Sequence, residues 1–170
     1  MMKSITQFSA GALALGLFVA MAPVAQAATN GTHTVNISVP ARLSIVMDNL
    51  AGTLTVDPDA ADGTASSLAS GLTVFSNYKG GAKVSVTATA PQGAGTAAGS
   101  SIPLSNFKYR VDSSNTAVTF SDTTATSVKD LNTKTGKNGA HVNVTYLLGN
   151  SFDYDAGDYT STVTYTVAAP

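Results

Sequence analysis

Asp155-Ala156-Gly157-Asp158-Tyr159-Thr160-Ser161-Thr162-Val163-Thr164-Tyr165-Thr166-Val167 is the stretch that decides the fold. After the turn, Tyr159, Val163, Tyr165 and Val167 fall on one side of an extended chain, with Ser161 the single small residue in that row. Thr160, Thr162, Thr164 and Thr166 fall on the other side. A period of two in β-forming residues, with hydroxyls opposite the apolar row, describes an antiparallel strand with one buried and one wet face. The terminal strand is expected to be structural and central.

The same alternation opens the chain beyond its leader. His33, Val35, Ile37 and Val39 alternate with Thr34, Asn36 and Ser38, and Pro40 ends the run because proline cannot donate to a ladder. Further strands are expected at residues 43–47, 53–56, 106–111, 117–120 and 141–148. Residues 72–76 and 82–90 read as a hairpin around Asn77-Tyr78-Lys79-Gly80-Gly81, whose glycines can take positive φ. Residues 60–70 and 132–139 read as loops. Residues 91–101 are rich in Gly, Ala and Ser without periodicity, and are expected to be a mobile loop. Eight or nine short strands, with turn signals about every ten residues, predict an all-β antiparallel sandwich, with a barrel as the alternative.

Residues 1–27 read as a signal peptide. Lys3 supplies the positive end, residues 10–22 are nearly all apolar, and Ala25-Gln26-Ala27 is a small-x-small cleavage site. The apolar run is short for a bilayer and no stop-transfer segment follows, so no transmembrane anchor is expected. Residues 28–170 are expected to form a single β-sandwich domain, exported to the periplasm, cell surface or medium.

The composition narrows function by exclusion. The chain has no cysteine, hence no disulfide and no thiol chemistry. Once Lys3 leaves with the leader, eight basic residues face ten acidic ones, which offers no basic field for nucleic acid. Every acidic residue is Asp, a turn-former, and none is the helix-favouring Glu. His33 and His141 lie in no motif with a nucleophile, and there is no Gly-x-Ser-x-Gly or His-Glu-x-x-His. Gly93-Ala94-Gly95-Thr96-Ala97-Ala98-Gly99 lacks the Gly-Lys pair of a phosphate loop. An enzyme is not expected, and neither is a resident cofactor.

Two aspartate sets share one spacing: Asp57, Asp59 and Asp62, and Asp153, Asp155 and Asp158. Calcium takes six to eight oxygens, and loops with alternating carboxylates supply them. Neither set has full EF-hand spacing, and Asp also starts turns by accepting from its own backbone, so these six are weak Ca²⁺ candidates beside a structural reading. Asn30-Gly31-Thr32, Asn36-Ile37-Ser38 and Asn143-Val144-Thr145 match the N-glycosylation pattern. Tyr78, Phe152 and Tyr154 could stack on sugars if exposed, with core or corner packing the competing job for the last two.

The spacing of Asp155, Gly157 and Tyr159 resembles the tyrosine corner of immunoglobulin-like sandwiches, which implies a structural role for these three residues. Residues 72–90, together with the ending Ala156-Gly157-Asp158-Tyr159-Thr160-Ser161-Thr162-Val163-Thr164-Tyr165-Thr166-Val167, resemble WxL-type surface domains of Gram-positive bacteria, with Tyr165 in place of a tryptophan. That resemblance implies a module for wall polymer or glycan. The alternating strand after the leader, the apolar stretch 43–47, the region 72–90 and the Gly-x-Tyr strand at the end together resemble donor-strand pilin subunits. That second resemblance implies a fimbrial subunit that self-associates by strand donation. Of the two arrangements open to residues 33–39, docking in their own chain is favoured over donation to a neighbour. Val35, Ile37 and Val39 would then share a core with Val163, Tyr165 and Val167.

Overall fold

The computed structural model describes residues 33–170; the leader, its cleavage site and the sequon at Asn30 lie outside them. Val39–Pro170 forms one compact unit. It is built almost wholly of antiparallel strands, with two single-turn 3-10 helices at Gly95–Ala97 and Leu104–Asn106. No helix among the described residues is long and apolar enough to cross a membrane.

Ten strands follow in chain order: β1 Leu43–Met47, β2 Ala65–Ser76, β3 Ala82–Ala88, β4 Gln92–Ala94, β5 Phe107–Val111, β6 Val118–Thr119, β7 Thr126–Leu131, β8 Ala140–Gly149, β9 Asp158–Thr160 and β10 Val163–Ala168. One sheet has the order β1-β2-β8-β5-β6, a second β10-β3-β7, and a small ribbon joins β4 to β9. The two larger sheets share one core in a sandwich-like arrangement. Leu72 and Val74 of β2, Val142 and Val144 of β8 and Tyr109 of β5 meet Val84 and Val86 of β3 in it, each essentially without solvent contact. Phe120 packs between Phe107 and Tyr109, with ring centroids 4.7 and 4.8 Å away. Alternation produces this core directly, because every second side chain of β2, β3 and β8 points at the opposing sheet.

Several sequence expectations are corrected. Residues 72–76 and 82–90 do not form a hairpin: β2 pairs with β1 and β8, whereas β3 pairs with β10 and β7. The linking residues carry the chain from one sheet to the other, and the buried Ser76 hydroxyl ties the crossing by donating to the Gly81 carbonyl at 2.6 Å. Gly81 has φ +86°, and a Cβ there would overlap the Leu131 backbone, so both conformation and space demand glycine. The terminal stretch is not one central strand. It breaks at Ser161 and Thr162 into β9, in the ribbon, and β10, at the edge of the second sheet. Much of the expected loop 60–70 is the first half of β2, and the expected mobile loop 91–101 holds β4 and a 3-10 turn. Residues 53–56 join no ladder among the described residues. Residues 33–39 form no strand either, and Val35, Ile37 and Val39 are 66, 83 and 76 % exposed.

Candidate functional site: an open groove beside the terminal strand

The site begins with where β1 stops. Its ladder with β2 runs from Leu43 to Met47, and Asp48 extends it by donating its N–H to the Gly71 carbonyl at 3.0 Å. Above Gly71 the Asp48 carboxylate crosses to His141 Nε2 on β8, 2.8 Å away. Any side chain at position 71 would collide with both partners. Beyond Asp48, residues 49–56 make no backbone hydrogen bond among the described residues. They still alternate: Leu54 and Val56 pack against the core while Thr53 and Thr55 face solvent. This is a segment with strand-like side-chain order and no ladder.

β10 supplies the facing wall. Among the described residues it is an edge strand whose only ladder partner is β3. Thr162 marks its orientation: the Thr162 carbonyl accepts from the Thr89 N–H at 3.0 Å and its own N–H donates to Thr89 Oγ1 at 2.9 Å. In an antiparallel ladder a residue's N–H and C=O point the same way and alternate along the strand. Thr164 and Thr166 therefore address β3, and the backbone groups of Val163, Tyr165 and Val167 address the open edge. Burial marks β10 as the outer strand of its pair. Val86 and Val84 are fully buried, whereas their ladder partners Tyr165 and Val167 are only partly so. Among the described residues no strand lies beyond β10 to cover this edge.

Between residues 49–56 and the row from Gly157 to Tyr165 lies a groove of about 1060 Å³. At roughly 30 Å³ per water, it accommodates a chain segment rather than a few ordered waters. Leu68, Ile102, Phe107 and Leu148 contribute apolar lining. One polar feature interrupts it: Tyr146 of β8 and Tyr165 of β10 meet hydroxyl to hydroxyl at 3.0 Å. Burial first, and then the Tyr146 hydroxyl, push the Tyr165 phenol well above its ordinary value, so it keeps its proton.

The point where residues 33–39 join the compact unit is also fixed. Asn77 Oδ1 accepts from the Arg42 N–H at 2.7 Å, and Asn77 Nδ2 donates to the Pro40 carbonyl at 2.8 Å. The Asn77 N–H donates to the Arg42 carbonyl, and the Arg42 guanidinium lies 4.7 Å from the Phe75 ring centre.

The residues singled out from sequence are distributed as follows. The Tyr159 hydroxyl donates to the Asp155 carbonyl at 3.0 Å. Gly157 lies against Thr96 and Ala97, where a Cβ would stand 2.8 Å from the Ala97 Cβ and N. The Asp155 carboxylate accepts from the Ser100 hydroxyl. Asp57 accepts from the Asp59 N–H at 3.0 Å, a local turn bond, and Asp62 accepts from the Phe152 N–H at 3.2 Å. No three His, Cys, Asp or Glu side chains converge among the described residues, so neither aspartate set is gathered into a carboxylate cage. Tyr154 is a packing residue whose hydroxyl donates to the Gly149 carbonyl and accepts from Asn106. Phe152, expected to pack, is instead 81 % exposed. Tyr78 follows the Ser76 end of β2, and Phe152 follows Gly149, which pairs with the Ala65 end. Twelve strand residues, roughly 37 Å, lie between those ends, so the two rings share no platform.

Sequence reasoning missed the tyrosyl pair, the Asp48–His141 pair and the Asn77 clamp. Each joins residues 19 to 93 positions apart, and only the unpaired alternation of residues 33–39 and 53–56 hinted at the groove. No protein-family model matches the chain, and no curated protein matches it.

Proposed function

We propose that this chain is a non-catalytic, exported structural subunit that assembles with copies of itself by strand pairing. Residues 33–39 of one copy fill the groove beside β10 of the next. The observation that carries the reading is a pair of complementary deficits in one chain. Among the described residues, β10 has an unpaired edge with half-covered apolar side chains. Residues 33–39 have an alternating apolar row that is exposed and joins no ladder. An open edge of this kind is a pairing template, and strand addition satisfies its backbone groups and its apolar face together. The fold is then an immunoglobulin-like sandwich that a neighbour completes, in the manner of donor-strand pilins, and the cysteine-free, Thr-rich composition suits a fibre subunit. Asn77 supports the reading by holding Pro40 and Arg42 in place, so that the donated residues leave a fixed point.

The glycan-binding reading, which follows the resemblance to WxL-type domains, draws on the exposed Phe152 ring. It has less support, because Tyr78 lies at the other end of β2. The test compares chains of residues 28–170 with and without residues 33–39, by light scattering across concentrations and by electron microscopy. Assembly of the complete chain and its loss on deletion are expected. A complete chain that stays monomeric, or a deletion that assembles equally well, would contradict the proposal.

A further inference from the structure

The groove is not uniform along β10, and its two irregularities have counterparts in residues 33–39. The first irregularity is Ser161, the small residue in a row that otherwise holds Tyr159, Val163 and Tyr165. The second is the tyrosyl pair. Two hydroxyls own two protons, and only one of those protons lies between Tyr146 and Tyr165. Neither hydroxyl has another partner among the described residues, so whatever covers the groove must offer an acceptor or leave an O–H unsatisfied.

The segment 33–39 carries the complements in its single apolar row of His33, Val35, Ile37 and Val39. Ile37 is the largest aliphatic side chain there, suited to the notch over Ser161. His33 is the only member with a polar side chain, and a neutral imidazole offers one acceptor nitrogen. Ser161 and Tyr165 are four residues apart, as are Ile37 and His33. Running antiparallel to β10, the segment meets both demands at once, with Ile37 opposite Ser161 and His33 opposite Tyr165. Val35 then lies opposite Val163, and Val39 opposite Tyr159. Paired side chains share a face, as antiparallel neighbours must. Running parallel, no register meets both, because the order of notch and polar pair is reversed.

Resting on the assembly reading above, we infer that His33 of the inserted copy engages the Tyr146–Tyr165 hydroxyl pair and, with Ile37 over Ser161, sets direction and register. A shift of one residue would turn the apolar row outward. A shift of two would cover the hydroxyl pair with Val35.

The native chain has no cysteine, so register can be read by oxidative trapping between mixed copies of the full chain. Ile37→Cys copies mixed with Ser161→Cys copies should crosslink, since opposed residues fall within disulfide reach. Val35→Cys copies mixed with the same Ser161→Cys partner should not. Crosslinking through position 35 in preference to 37 would overturn the register and leave the assembly reading standing. No crosslink from either mixture, with all copies monomeric, would overturn both.

A second readout needs no cysteine. His33→Leu should raise the concentration for half-assembly about tenfold, and His33→Gln, which keeps an acceptor, by much less. In the Tyr146→Phe/Tyr165→Phe background, His33→Leu should cost nothing. An equal loss in both backgrounds would show that His33 acts elsewhere and overturn the inference.

Discussion

Tyr159 and Gly157 show how much a single residue fixes at the β8–β9 corner. The Tyr159 hydroxyl donates to the carbonyl of Asp155, four residues upstream, and closes the turn that delivers the chain to β9. Tyr159→Phe removes one partly exposed hydrogen bond. It should lower stability by about 0.5–1.5 kcal/mol without changing the fold, as read by urea titration. Gly157→Val should cost more, because its side chain would enter the space of Thr96 and Ala97. On the outer face of the first sheet, Gly71→Ala would collide with Asp48 and His141 and break their contact. An altered His141 side-chain NMR signal, with β2 still paired to β8, is the expected result.

Charge enters at one residue. The Lys129 ammonium, 2.8 Å from Asp112, holds that carboxyl below its usual value, and the Asn143 N–H adds to the effect. A carboxylate depressed in the fold contributes stability that is complete above its unfolded value, near pH 3.9. That contribution is lost as pH falls through the lower folded value. Both side chains are more than a third exposed, so the effect is small. Asp112→Asn should flatten the stability profile below about pH 4 and leave its shape at neutral pH unchanged. A steep acid limb retained in the variant would assign that limb to other carboxylates.

Among the elements, legibility followed the strength of local patterning. β3, β5 and β8 were readable because apolar and polar residues alternate across nearly their whole length. β7 was not, since Thr126-Ser127-Val128-Lys129-Asp130-Leu131 buries Val128 alone. The first half of β2 was also missed, its small polar residues resembling a loop until β8 pairs with them. Alternation states which face is apolar but not which strand lies alongside. For that reason the β2–β3 crossing read as a hairpin and residues 33–39 read as docked. Of the site, the Asp155, Gly157 and Tyr159 corner was visible in its spacing. The groove entered the sequence reading only through the alternative of strand donation, because alternation does not say which ladders form. Ile37 separates the two roles open to its segment. Being 83 % exposed, it should tolerate Ile37→Asp with a stability change within about 0.5 kcal/mol, while assembly is lost. Marked destabilisation of dispersed monomer by this substitution would mean that the side chain is buried within its own chain.

For the whole molecule, the proposed assembly rests on a sandwich-like body whose edge strand β10 is half-covered among the described residues, and on one apolar segment, residues 33–39, that forms no strand. Hydrogen exchange along β10 tests this most directly, because the strand carries its own control. The Thr164 and Thr166 amides address β3 and should be protected in dispersed and assembled protein alike. The Val163 and Tyr165 amides address the open edge opposite the inserted segment, and should exchange freely in dispersed chains and become protected on assembly. Slow exchange at Val163 and Tyr165 in the dispersed monomer, or fast exchange there in the assembled state, would contradict the completion of this edge by a neighbouring copy.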